Sequence, residues 1–430
     1  EWSKKIEELK VGKPEERAAL AQEVKLFQLG AQFKGAEAAF EAKDYKRAAE
    51  AFLAVVDSDP KNKVADKALQ NAAVAYMYLK WYDSAAKVYQ RLVAEYPSSP
   101  FVEGALYQLA ENARKFLDFE RAIEGYKALI ARFPKTEKLQ EATFKIAQLT
   151  EALGRVREAA RAYEKYVESY PSDPEAPALL FRVAGLYEKL GDQDEAVRIY
   201  RLFVSRYGMA VEQNDRVMDA LAKVADIYRA QGRMKEWETV ARQVIKEFHA
   251  RGMEPGTRAA GHAAKAQFLL IEDKFRQYEA IQFRGDVKTQ GKLIKQKQAL
   301  MAELEQEYAA VLPYKSVEWS SAAVYRMAAL PELFAKAMFA AEIPPMDPEQ
   351  EDIYRTQLED VANQYRMAAQ DRYVKIIEEN RRLKTRNEWT DKALEAMNKY
   401  RPHEFPLLKN DRRILERSTR YAAPQFEEAL

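Results

Sequence analysis

Three histidines, His249, His262 and His403, are the first side chains to weigh for chemistry in this 430-residue sequence. Imidazole is the commonest metal ligand and the natural base near neutral pH. No two of the three have metal-ligand spacing, and no H-E-x-x-H run occurs. His403-Glu404 leads into Phe405-Pro406, and proline there forbids the helix such a metal pair needs. Cysteine is absent, which removes disulfides, zinc–thiolate sites and thiol catalysis. Gly12-Lys13 and Gly291-Lys292 lack the upstream glycine and the following Ser/Thr of a phosphate loop, and neither G-x-S-x-G nor G-x-G-x-x-G is present. The 67 acidic side chains face 69 basic ones, mostly a solvated surface in which no carboxylate pair stands out. No nucleophile, base and orienting group can be assembled. The sequence therefore predicts no enzyme, with no catalytic, cofactor-binding or metal residue and no cofactor.

What the chain does carry is a repeat with a step of 37 residues. Small residues recur at Ala36, Ala73, Ala110, Ala147 and Ala184, and a longer step of 41 reaches Ala225. A second series runs through Ala48, Ala85, Ala122, Ala159 and Ala196, followed four residues on by Phe52, Tyr89, Tyr126, Tyr163 and Tyr200. Pro60, Pro97, Pro134 and Pro171 close the units, with Gly208 in the fifth place. The physics is that of two crossing helices. A small residue lets backbones approach so that ridges fit grooves, an aromatic fills the space beside it, and proline stops the second helix.

This pattern resembles the tetratricopeptide repeat (TPR), a helix–turn–helix unit usually of 34 residues. The three extra residues are expected in the second helix or the loop after it. The resemblance implies an all-α fold: a right-handed TPR superhelix of about six helix-turn-helix repeats over residues 29–250, followed by a divergent α-helical C-terminal region. The sixth pair is degenerate, with Trp237 and Ala241 exchanging the large and small positions. Tyr96-Pro97-Ser98-Ser99-Pro100 and Tyr170-Pro171-Ser172-Asp173-Pro174 are similar to loops of bacterial envelope TPR proteins, of the outer-membrane assembly and Tol–Pal-associated types. The long helical extension and the Arg401–Pro406 tail also resemble TPR components of deltaproteobacterial gliding-motility machinery.

In TPR proteins the first helix of each pair lines a groove. The resemblance thus places Phe33, Gln70, Tyr107, Phe144, Phe181 and Ala222 in one groove row, and Glu37, Val74, Glu111, Gln148, Gly185 and Asp226 in the next. From these rows Phe33, Tyr107, Phe144, Phe181, Glu111 and Gln148 are the candidates to hold an apolar peptide or helix. The competing reading is that the aromatics pack against neighbouring helices. The lysine and asparagine with which chaperone-type TPR proteins grip a terminal carboxylate are missing from the matching positions, so that ligand is not expected.

Helices are expected over 1–28, with a break near Gly12-Lys13-Pro14, as an N-terminal cap. Beyond the repeats come a junction at Gly252–Gly256 and a divergent helical region over 257–341, interrupted at Pro331. Within it Ile294, Met301 and Tyr308 share a heptad seam, with Leu304 and Val311 alongside. Long helices over 349–400 and a Pro-containing tail over 401–430 follow. Basic residues cluster at Lys288, Lys292 and Lys295 and again at Arg381-Arg382, candidates for a charged docking patch. Solvated helix faces or internal pairing are the plainer reading. A formal net charge of +2, with no aromatics among the basic residues, gives no reason to expect nucleic acid. No apolar run is long enough to span a membrane, so membrane association would run through partners. The sequence opens on Glu1, which leaves room for a removed signal peptide or an anchor upstream. These readings add up to a non-enzymatic protein–protein interaction scaffold in a multiprotein complex of a Gram-negative cell envelope, in the periplasm, serving gliding motility or envelope assembly. A cytoplasmic TPR adaptor, and a regulatory or substrate-delivering subunit of an enzyme or assembly machine, are the alternatives.

Overall fold

The computed structural model describes residue 5 and residues 13–407, and every regular element among them is a helix. After α1 (Pro14–Glu41) come eight helices of identical 14-residue length: α2 (Tyr45–Ser58), α3 (Ala65–Tyr78), α4 (Tyr82–Glu95), α5 (Val102–Lys115), α6 (Phe119–Arg132), α7 (Leu139–Ala152), α8 (Val156–Ser169) and α9 (Ala176–Lys189). A three-residue turn joins the helices of a pair and a six-residue connection joins pairs, which accounts for the 37-residue step.

The two joints are built differently, and each repeats with the same step. At the turn, one residue adopts a left-handed backbone: Lys43, Lys80, Leu117, Gly154 and Gly191, with φ between 61° and 72°. Such a residue lets the chain reverse while the last helical carbonyls are satisfied; Asp118 N–H, for example, donates to Ala113 O at 2.9 Å. In the connection, the fourth residue is Asn62, Ser99, Thr136 or Asp173. Each accepts a hydrogen bond from the backbone N–H two residues on, the local turn these side chains favour. Tyr96 Oη also donates to Pro60 O at 2.6 Å, linking successive connections. Ala36, Ala73, Ala110, Ala147 and Ala184, and Ala48, Ala85, Ala122, Ala159 and Ala196, are all fully buried. The register read from sequence is therefore the packing register.

The chain divides into two compact units, Glu1–Ile199 and Tyr200–Leu430, the division falling within α10 (Gln193–Tyr207) and not at Gly252–Gly256. The cap expected over 1–28 and the first helix of the first repeat form one element, because α1 starts at Pro14 and runs unbroken to Glu41. The expectations for residues 1–4, 6–12 and 408–430 lie outside the described residues.

In the second unit α11 (Asn214–Ala230) and α12 (Met234–Ala250) form a pair in which Trp237 and Ala241 are both buried. Then come α13 (Arg258–Ala280), α14 (Val287–Ala309), α15 (Val317–Phe339), α16 (Pro348–Leu383) and α17 (Glu388–Tyr400). Pro331 does not interrupt α15. Its missing N–H would orphan the carbonyl four residues back, and Arg372 supplies the donor instead, to Met327 O at 2.8 Å. In the seam of α14, Leu304 and Tyr308 are fully buried, as is Val311 just past the end of the helix. So is Lys297, whose Nζ donates to Tyr278 O and Ile281 O at 2.9 Å each and caps the end of α13.

Candidate protein-binding site

The first-helix row lies on α1, α3, α5, α7 and α9 of the first unit, with Ala222 on α11 of the second. Its aromatics have two faces. On one they pack inward against the aromatics of the second helices. Phe33 meets Phe52 edge-on at 5.3 Å, Tyr107 meets Tyr126 at 6.1 Å, and Phe144 meets Tyr163 at 6.3 Å and Tyr166 at 5.3 Å. Phe33 is buried, while Tyr107, Phe144 and Phe181 stay half-buried. A partner would meet these ring edges, already held in place, and little ordering entropy would remain to be lost on binding.

Cations ride on the row. Lys67 Nζ lies 5.1 Å from the Phe33 ring centre, and Lys138 Nζ 4.0 Å from that of Tyr107. In the neighbouring row Gln148 is exposed, whereas Glu111 is buried and fully engaged. Glu111 accepts from Arg114 Nη2 at 2.8 Å, from Lys145 Nζ at 2.6 Å and from the Tyr126 hydroxyl. Burial alone would push its carboxyl up, but these three donors outweigh it and hold it at about 2. Lys145 also reaches Glu141 at 2.7 Å and the Tyr107 hydroxyl at 3.3 Å, and it is held above the ordinary lysine range. Glu111 thus organises the α5–α6–α7 wall of the row, its acceptor capacity taken up within the protein.

The five basic candidates do not form one patch. Lys288, Lys292 and Lys295 are exposed near the start of α14, and Arg381 and Arg382 lie in the last turn of α16. The two helices run in the same direction: Gln290 bonds Tyr354, Gln298 bonds Tyr365 and Glu305 bonds Arg372. Some twenty residues of α16, about 30 Å at the helical rise, therefore separate the two groups. Arg382 is paired with Glu379 at 3.0 Å, and Lys274 of α13 with Glu303 of α14 at 2.6 Å, so part of the charge is matched internally.

Sequence reasoning did not single out Lys145, the partner of Glu111, which lies 34 residues on, between register positions. Among the described residues no group of three or more His, Asp or Glu side chains could hold a metal, and no helix is long and apolar enough to cross a membrane.

One tetratricopeptide-repeat model matches residues 16–63, 33–100 and 144–208, and a second matches 104–136. These segments are tetratricopeptide repeats, the architecture already visible in the helix pairs. No curated protein matches the chain. Solved structures similar to it include that of MamA protein, 20% identical, covering 44% of this chain and 94% of that one, with a TM-score of 0.31. A tetratricopeptide repeat protein from Parabacteroides merdae is 16% identical over 67% of this chain and 99% of that one, TM-score 0.31. YrrB, described as a TPR protein with an unusual peptide-binding site, is 15% identical over 41% and 84%, TM-score 0.30. At these values none of them carries a function over to this chain.

Proposed function

We propose that the protein is a non-enzymatic scaffold that holds an apolar peptide or helix of a partner protein along the first-helix row of its repeats. The observation that carries this reading is the row itself: Tyr107, Phe144 and Phe181 recur on successive first helices, each half-buried and leaving part of its surface to a partner. Rigid aromatic anchors of this kind dominate binding energy at protein interfaces. The finer part of the proposal, a role in a cell-envelope complex of gliding motility or envelope assembly, rests on the resemblance of the Tyr-Pro connections. Photo-crosslinkers placed at 107, 144 and 181 in the native cell test the first part, the expected result being one partner captured at all three. Fractionation tests the second: recovery of the full-length protein in the cytoplasm overturns the periplasmic reading and favours an adaptor.

A further inference from the structure

A second recognition feature lies on the other face of α5. Asn112 is 2% exposed, and neither its side-chain nitrogen nor its oxygen has a hydrogen-bond partner. Leaving both ends of a buried carboxamide unmet is costly and rare. The register makes it more pointed: the residues one repeat apart in this series are Ala38, Ala75, Leu149 and Leu186, all apolar. Asn112 lines an open cavity of about 390 Å³ between α4, α5 and α6, within the range of ligand sites. Its walls include the Tyr82 and Phe116 rings, 5.8 Å apart and edge-on, and the small residues Ala86 and Gly125. Five residues separate Asn112 from Tyr107, about 140° around the helix, so the cavity faces away from the first-helix row.

Beside the cavity the chain keeps apolar surface exposed at a conformational cost. Phe116 is 56% and Leu117 73% exposed, and Leu117 takes the left-handed turn position at φ 61°. Lys43, Lys80, Gly154 and Gly191 hold that position in the other repeats of the first unit.

We infer that this cavity binds an extended peptide segment of a partner protein, whose main-chain amide pairs with Asn112 as that carboxamide, its nitrogen and oxygen both buried in the free protein, turns into the cavity. A carboxamide offers donors and an acceptor side by side. A peptide unit answers both, whereas a carboxylate or phosphate answers only the donors and an ammonium only the acceptor. The part of the cavity walled by the Tyr82 and Phe116 rings takes one apolar side chain. Asp83 and Glu124 line it without an ion pair among the described residues, and Arg121 is matched by Asp118 at 3.5 Å. The residues flanking the apolar one are therefore basic. This inference rests on the scaffold reading but uses a different face of the repeats.

The test uses the full chain, isotope-labelled on asparagine, titrated with the blocked peptide acetyl-Lys-Leu-Lys-amide. The Asn112 side-chain signals, identified by their loss in Asn112→Leu, are expected to shift saturably. Binding is expected to fall at least about tenfold in Asn112→Leu and with acetyl-Glu-Leu-Glu-amide, while the melting temperature of Asn112→Leu stays at or above that of the native chain. Unmoved Asn112 signals, or equal peptide binding by Asn112→Leu, overturn the inference and leave a bound water as the amide's partner. Should Asn112→Leu not fold, Ala86→Leu fills the cavity from α4, and unchanged peptide binding by it is equally contrary. Crosslinking from positions 107 and 144 is expected to survive Asn112→Leu; its loss contradicts a separate site. Failure of that crosslinking in the native chain counts against the groove alone, because the peptide titration reads the Asn112 cavity independently.

Discussion

Lys145→Met isolates the interaction on which the wall of the row depends. Glu111 has only 11% of its side chain exposed and takes three donors, of which Lys145 at 2.6 Å is one. A carboxyl held at about 2 against an ordinary 4.5 favours the ionised folded form by about 3 kcal/mol at neutral pH. Removing Lys145 leaves Arg114 and Tyr126 in place, so the cost falls below the 3–5 kcal/mol or so of a fully orphaned buried charge. About 2 kcal/mol is expected, the range of hydrogen bonds to charged groups. The pH sign follows from the lowered carboxyl. Its contribution is complete above about pH 4.5 and is lost as pH falls through about 2. The stability difference between the native chain and Glu111→Gln should therefore shrink across that window. Urea denaturation followed by circular dichroism gives the global change. Hydrogen exchange over α5–α7 gives the local one, because repeat arrays can unfold unit by unit. An unchanged urea midpoint and unchanged exchange in Lys145→Met, or a difference from Glu111→Gln that persists undiminished to pH 2, would mean that this ion pair does not hold the wall.

Three further outcomes follow from the packing. Leu117→Gly relieves a left-handed backbone at an exposed position and should stabilise the fold by about 0.5–1 kcal/mol, read by thermal denaturation. Gly125→Ala would bring a Cβ to 2.9 Å from Ala110 Cβ and should cost about 1–3 kcal/mol; Ala110→Gly in the same chain should restore part of it, and a lone Gly125→Ala as stable as the native chain counts against the close crossing. Lys297 is held down at about 8 by burial, with Glu279 opposing. Between pH 8 and 10.5 the unfolded chain then binds the extra proton, so native stability should rise with pH there by up to about 3 kcal/mol relative to Lys297→Met, which paired denaturation series across that range would detect.

The repeat was legible because it rests on steric demands that only certain residues meet. Each crossing needs an alanine, and all ten register alanines of the first unit are fully buried. The polar network was not legible from single-helix rows. Glu111 reads as a groove acid until the turn geometry brings Lys145 of the next repeat to it. Asn112 was not singled out from the sequence, because its significance depends on the absence of a hydrogen-bond partner, which only three dimensions reveal. Lys297 falls three residues after Ile294 in the seam of α14, so burial could be read there, but its carbonyl partners at the end of α13 could not. Pro331 reads as a helix break from local rules, and Arg372, 41 residues away, removes the reason for one. The two basic clusters are far apart in sequence, and whether the fold joins them into one patch could not be read there; the parallel course of α14 and α16 keeps them apart.

Partner binding on the first-helix row can be read by photo-crosslinking in the native cell from positions 107 and 144, with exposed position 127 on α6 as the control. The same partner protein is expected at 107 and 144 and none at 127, with capture from 107 lost in Phe144→Ala with Phe181→Ala while the fold remains intact. Absence of any partner at the row positions, or capture undiminished by the double substitution, would contradict binding on that row.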